Sequence, residues 1–218
     1  MVKFDRKEFP SLLLVVLMFV FGFALSGKFP SSVPTQWNVW GEIIGYGSSN
    51  EALFVIPLIS LVTYVLLSLI PKIAVMKTNI ELFLDYIYRI KAAVILFFFG
   101  LYLSSVLNSL GYEFNMSYYI IPSLAILLYY FGWIMQYSKR NFFIGIKTPW
   151  TLSDDRVWKN THRIGSITLR INAALLLLAL LFPSAILIIF TVPVILNFIF
   201  FWAFSYWEYR RLGLGKQA

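Results

Sequence analysis

The residues of this chain that could do chemistry gather in two stretches, and what they lack is as informative as what they hold. The first, Ser138–Ile164, reads SKRNFFIGIKTPWTLSDDRVWKNTHRI and contains His162, the single histidine, with Asp154, Asp155, Lys147 and Lys159. The second, Lys28–Glu51, reads KFPSSVPTQWNVWGEIIGYGSSNE and carries Gln36, Asn38, Glu42 and the aromatics Trp37, Trp40 and Tyr46. One histidine and no cysteine exclude a multi-histidine or thiolate metal centre and the paired histidines of a zinc protease, so no cofactor or metal is expected. An intramembrane aspartyl protease needs carboxylates at membrane depth, and none falls inside an apolar run. Composition leaves a Ser–Lys or Ser–His hydrolase open, but His162 sits in a polar stretch beside a membrane segment and reads there as structural. The chain is therefore read as a non-enzyme.

The elements that position these stretches follow from composition. At 60% hydrophobic and 13% charged residues, a chain of this length carries more apolar surface than one aqueous core can hide. The remaining solvent is lipid. Apolar runs near the roughly 20 residues needed to cross a bilayer occur at about Ser11–Gly27, Ala52–Ile70, Ala92–Leu110, Ser117–Tyr137, Gly165–Phe182 and Ser184–Tyr206. The expectation is an all-α polytopic transmembrane bundle: six spans in three hairpins, one membrane domain over residues 1–218, an outer loop at 28–51 and an inner loop at 138–164.

Orientation follows from charge. Of the 18 Lys and Arg, all but Lys28 and Arg170 fall before span 1, between spans 2 and 3, between spans 4 and 5, or after span 6. That asymmetry in short connections predicts both termini in the cytoplasm of a multi-pass cell-membrane protein. The net charge of +8 is then a mark of topology, and no direct nucleic-acid partner is implied. Lys3 and Lys216 belong to this count. Arg170 lies about one and a half turns into span 5, near enough to its cytoplasmic end to reach the headgroups.

The two stretches are built differently from simple connectors. Pro30, Pro34, Gly41, Gly45 and Gly47 punctuate the outer one with turn chemistry around fixed aromatic anchors. In the inner one, Ser153 is expected to cap a short helix with Asp154 and Asp155 in its first turn. Asp155 and Lys159, and likewise Trp158 and His162, then share a face at i,i+4. Two readings of the inner loop stand: basic residues and aromatics lying in the headgroup layer of the bilayer, or a docking surface for a partner or an anionic ligand.

The run Arg140-Asn141-Phe142-Phe143-Ile144-Gly145-Ile146-Lys147-Thr148-Pro149-Trp150-Thr151-Leu152-Ser153, with Val157-Trp158 and Thr161-His162-Arg163-Ile164-Gly165, resembles the signature of the SdpI family of membrane immunity proteins. The outer run, from Pro30 through Pro34-Thr35-Gln36-Trp37-Asn38 and Gly41 to Gly45-Tyr46-Gly47-Ser48, is similar to an uncharacterised N-terminal segment of many members. Gln36, Ile44 and Lys147 stand where members often have His, Asp and Arg. The resemblance implies protection from a secreted toxic peptide outside, with signalling through a transcriptional repressor inside. On that basis Gln36, Trp37, Asn38, Trp40 and Tyr46 are candidates for toxin contact. Asn141, Gly145, Lys147, Thr148, Pro149, Trp150, Trp158, Thr161, His162 and Arg163 are candidates for the cytoplasmic partner. A small-substrate or peptide transporter is the alternative, suggested by Pro57, Pro122 and Pro193 in the outer parts of spans 2, 4 and 6 and by the echo of Phe21–Ser26 in Phe99–Ser104.

Overall fold

The computed structural model describes residues 5–214; Lys3 and Lys216 of the charge count lie outside them. Seven α-helices and one two-stranded sheet appear in the order α1 (Phe9–Leu25), β1 (Ser32–Trp37), β2 (Ile43–Ser48), α2 (Ser49–Ile73), α3 (Lys77–Ser109), α4 (Ser117–Met135), α5 (Pro149–Ser153), α6 (Asp155–Leu177) and α7 (Ile186–Arg211). Six of these helical stretches are long and apolar enough to cross a membrane, as the hydrophobic runs predict. Their outward faces suit lipid: Phe23, Ile126, Leu181 and Phe198 are each at least 70% exposed, which water would penalise and acyl chains do not.

The helices overrun the apolar stretches. α3 begins at Lys77 rather than near Ala92 and spans 33 residues, about 50 Å against a hydrocarbon core of about 30 Å. α6 begins at Asp155 rather than near Gly165. Both extensions are polar, so hydropathy misses them; backbone hydrogen bonding continues regardless. They bring Glu81, Asp85 and Asp155 into long helices, and the ends of α2 and α7 likewise take in Glu51 and Glu208, but all five lie outside the apolar runs, which hold no carboxylate.

The described chain divides into two compact units. In the unit formed by residues 5–68 and 87–124, Val15, Met18, Leu53, Ile95, Tyr102 and Val106 form a buried cluster joining α1, α2 and α3. Gly22 allows α1 to approach α2 closely, since a Cβ there would lie 3.0 Å from the Leu53 carbonyl oxygen. In the unit formed by residues 69–86 and 125–214, Tyr86 of α3 stacks on Tyr137 with 5.0 Å between ring centroids, and Trp133 meets both rings edge-on. Gly132 of α4 lets α6 pass within van der Waals distance, its missing Cβ occupied in effect by the Arg170 side chain and backbone. Arg170 Nε donates to the Ser166 carbonyl one turn earlier, so the side chain runs back toward the start of α6.

Candidate functional site

The outer stretch is a β-hairpin. β1 and β2 pair antiparallel, with Ser32 opposite Ser48, Pro34 opposite Tyr46 and Trp37 opposite Ile43, and a bulge near Thr35. Asn38 makes the turn. Its side-chain oxygen accepts from the backbone N–H groups of Trp40 and Glu42, both at 3.0 Å, and its amide donates to Glu42 Oε2 at 2.8 Å. Gly41 closes the turn at φ +79°, and a Cβ there would overlap Asn115 Oδ1. The turn is also held from below: Asn115 donates to the Trp40 carbonyl at 2.7 Å and Ser117 to that of Val39 at 3.1 Å.

The outer candidates therefore separate. Asn38 holds the turn, with its side-chain oxygen accepting twice and one amide N–H given to Glu42. Gln36, Trp40 and Tyr46 are exposed, Tyr46 to 66%. Trp37 is half-buried, and its indole nitrogen is enclosed without a hydrogen-bond partner among the described residues.

The inner stretch folds by a succession of local devices. Asn141, buried, organises the first bend: its oxygen accepts from Phe143 and Ile144 N–H at 2.8 and 2.7 Å, and its amide donates to the carbonyls of Lys139 and Ile144. Gly145 follows at φ +124°, with its α-carbon against His162 and Trp158; a Cβ would overlap His162 Nε2. Thr148 then caps α5 through a reciprocal pair with Thr151, and Pro149 takes the first helical position, where its missing N–H costs nothing. Thr148 Oγ1 also donates to Ser205 Oγ of α7 at 2.9 Å. The cap of α6 is Asp154, not Ser153 as expected; Ser153 donates back to the Trp150 carbonyl. The Arg156 side chain, hydrogen-bonded to Asp154, holds that carboxyl below the usual carboxylate range.

His162 ties these pieces together. Its Nε2 accepts the Ile146 N–H at 2.9 Å, and a backbone N–H can only donate, so the proton sits on Nδ1, which donates to the Trp158 carbonyl at 2.8 Å. The imidazole is neutral and fully engaged. Trp158 stacks on it at 4.0 Å, and its indole N–H donates to the Ser138 carbonyl at 3.1 Å. Both aromatic pair members were expected on one face and are found there. Asp155 and Lys159 share a face of α6 as expected, and Asp155 lies 2.9 Å from Arg140 Nε, a charge contact rather than an aligned hydrogen bond.

Burial divides the inner candidates. Asn141, Thr148, Trp158, Thr161 and His162 are buried, and Gly145 is packed from inside. Lys147, Pro149 and Arg163 are exposed, and Trp150 is half-exposed with its ring against Trp202 and Tyr206 of α7 at 5.3 and 5.0 Å. The buried set fixes the shape; the exposed set is what another molecule can touch. Among the described residues no group of three or more His, Asp or Glu side chains lies close enough to hold a metal ion.

Sequence reasoning missed a third cluster. Lys91, only 1% exposed, reaches Glu8 Oε1 at 3.1 Å and donates to Ser68 Oγ at 2.8 Å, with the Tyr64 ring centroid 4.6 Å away. Tyr64 donates its hydroxyl to the other Glu8 oxygen at 2.6 Å. Lys91 was counted with the cations between spans 2 and 3, and no spacing in the sequence links it to partners on other helices. The one signal is that Lys91 directly abuts the apolar run starting at Ala92.

Comparison with known proteins bears on both stretches. Residues 138–204 match the SdpI/YfhL protein family. That match takes in the inner stretch, α6 and most of α7. Residues 13–61, which include the whole hairpin, match a domain of unknown function, DUF1648. The chain is also 29% identical over 209 residues to the immunity protein SdpI of Bacillus subtilis (strain 168), an alignment covering 95% of this chain and 98% of that relative. No solved structure matches. The chain is thus a multi-pass cell-membrane protein related to SdpI immunity proteins, with the family segment running from the inner module through α7.

Proposed function

We propose that this protein protects its cell from a secreted toxic peptide, receiving the peptide at the outer hairpin and reporting its presence through the SdpI/YfhL module on the cytoplasmic side, where both termini also lie. The observation that carries this reading is the near full-length similarity to an immunity protein, which runs through hairpin and module alike. A peptide arriving from outside meets Trp40 and Tyr46 first, large rigid side chains that bury apolar area at low entropic cost. The hairpin adds a second mode of capture. In a two-stranded sheet each strand keeps an open edge, and β1 carries Pro34, which has no N–H to offer, whereas β2 contains no proline and favours pairing with an extended peptide. On the inner side, the exposed Lys147, Trp150 and Arg163 form the contact surface for a cytoplasmic partner such as a transcriptional repressor, an aromatic anchor beside positive donors.

The test is survival. Sensitive bacteria expressing the chain are challenged with peptide fractions secreted by the organism that encodes it, and by B. subtilis 168. Protection that is lost in Trp40→Ala and Tyr46→Ala at unchanged membrane level supports capture at the hairpin. Substrate-dependent flux in proteoliposomes without protection would replace this reading with a transporter.

A further inference from the structure

A pocket of about 510 Å³ opens within the unit formed by residues 69–86 and 125–214, bounded by α3, the residues that follow α4, and the first turns of α6. Its volume lies within the range of small-ligand sites. The frame is pinned. Asn79 of α3 donates to the Arg140 carbonyl at 2.8 Å, Arg140 Nη1 donates to the Leu152 carbonyl at 3.0 Å, and its Nε contacts Asp155 at 2.9 Å. Arg140 and Asp155 thereby offset each other's charge within the wall.

Two cations remain. Lys139 and Lys159 line the pocket, and their ammonium groups make no hydrogen bond or ion pair among the described residues. Facing them is an apolar and aromatic wall: Leu82, 66% exposed, the stacked Tyr86 and Tyr137, and the edge of Trp158. The lining is therefore amphipathic, with uncompensated positive charge on one side. Its depth is set by chain position. Gln136 to Arg140 follow directly on Met135, the last residue of α4, so the pocket stands where an apolar span ends and the headgroups begin.

We propose that this pocket binds the phosphate of an anionic phospholipid headgroup, with Lys139 and Lys159 on the phosphate oxygens and the glycerol and upper acyl carbons against Leu82 and Tyr137. Basic pockets between membrane helices select headgroups in this way, since a zwitterionic lipid brings a choline cation toward the same lysines and an anionic lipid does not. The site stands independently of toxin protection, and its test needs neither toxin nor partner.

The experiment is titration calorimetry of the purified full-length chain in a neutral detergent at physiological ionic strength, with dihexanoyl phosphatidylglycerol, dihexanoyl phosphatidylcholine and inorganic phosphate as separate probes. Saturable binding of the phosphatidylglycerol alone is expected, weakened roughly tenfold or more in the double variant Lys139→Gln/Lys159→Gln. The charge-keeping Lys139→Arg/Lys159→Arg should bind as wild type, which separates loss of the site from loss of the fold. Lys72→Gln/Arg210→Gln, two exposed cations outside the pocket, should also bind normally. Equal weakening in that control overturns the proposal in favour of diffuse surface charge. Inorganic phosphate binding as tightly as the lipid overturns the lipid assignment, and equal binding of the phosphatidylcholine overturns the role of charge.

Discussion

The outer hairpin and the inner module are both conspicuous in sequence, each setting Gly, Pro and two Trp among polar residues, yet the structure uses those residues in opposite ways. In the hairpin Gly41 and Asn38 make a tight turn and leave Tyr46 and Trp40 outside. In the module the glycine and the ring residues are folded inward, with Gly145, Trp158 and His162 packed on one another and only Lys147, Pro149, Trp150 and Arg163 presented. An unusual cluster of residues marks a constrained backbone in both cases. It does not say whether the side chains are offered to a ligand or consumed in building the shape that offers something else.

Substitutions can break this contrast, and the largest effect is expected at Gly145. Gly145→Ala forces a Cβ onto His162 Nε2 in a backbone conformation that costs about 1–3 kcal/mol for a non-glycine residue even without the overlap. It should lower the melting temperature in detergent markedly, or abolish membrane accumulation. Gly111→Ala sharpens the point, because φ is +93° there but nothing lies within 4 Å of the new Cβ, so only the conformational part is paid. If the two variants melt alike, packing against His162 contributes nothing.

His162→Phe comes next. It keeps a ring over Trp158 but leaves the Ile146 N–H without its partner and the Trp158 carbonyl with its helical bond alone, a loss of about 1–3 kcal/mol by denaturant or thermal unfolding. A variant as stable as wild type would show the imidazole nitrogens to be incidental. Thr148→Val removes the cap of α5 and the bond to Ser205 and should cost about 1 kcal/mol, with amide exchange accelerated at Thr151.

Much of this was legible in advance, for identifiable reasons. Hydrophobic runs located six spans because lipid imposes a length and a composition that loops rarely imitate. The i,i+4 relation of Trp158 and His162 survived because the helix containing them is regular. What was not legible depended on contacts between elements: the polar extension of α3 down to Lys77, the strand pairing of a stretch that reads as a turn-rich loop, and the choice of Asp154 over Ser153 as cap. The last was decided by geometry, since Ser153 closes α5 while Asp154 takes an extended backbone between two helices.

A smaller effect is expected from acid. Asp154 has its folded pKa depressed by Arg156, so its contribution is complete above the ordinary carboxylate value and lost as pH falls through the depressed folded value. Asp154→Asn, which keeps a capping oxygen, should flatten the acid limb of the stability profile while changing neutral stability by less than about 1 kcal/mol. An unchanged acid limb would assign that limb to other carboxylates. The smallest effects on stability belong to the hairpin: Trp40→Ala and Tyr46→Ala should leave the unfolding free energy within about 0.5 kcal/mol of wild type. Large destabilisation there would make these aromatics part of the fold and end the contrast between the two regions.

The Glu8–Lys91 contact has a consequence for how the protein is made. A chain inserted from its N-terminus delivers the carboxylate just ahead of α1 and must complete α2 and about the first four turns of α3 before the ammonium arrives. Until then one charge stands at the end of an apolar helix with nothing to neutralise it, and afterwards neither is open to solvent to any large extent. Completion of the three-helix unit is thus chemically legible to the cell: an unfinished or truncated chain displays a bare ionic group at the membrane, and a finished one hides it.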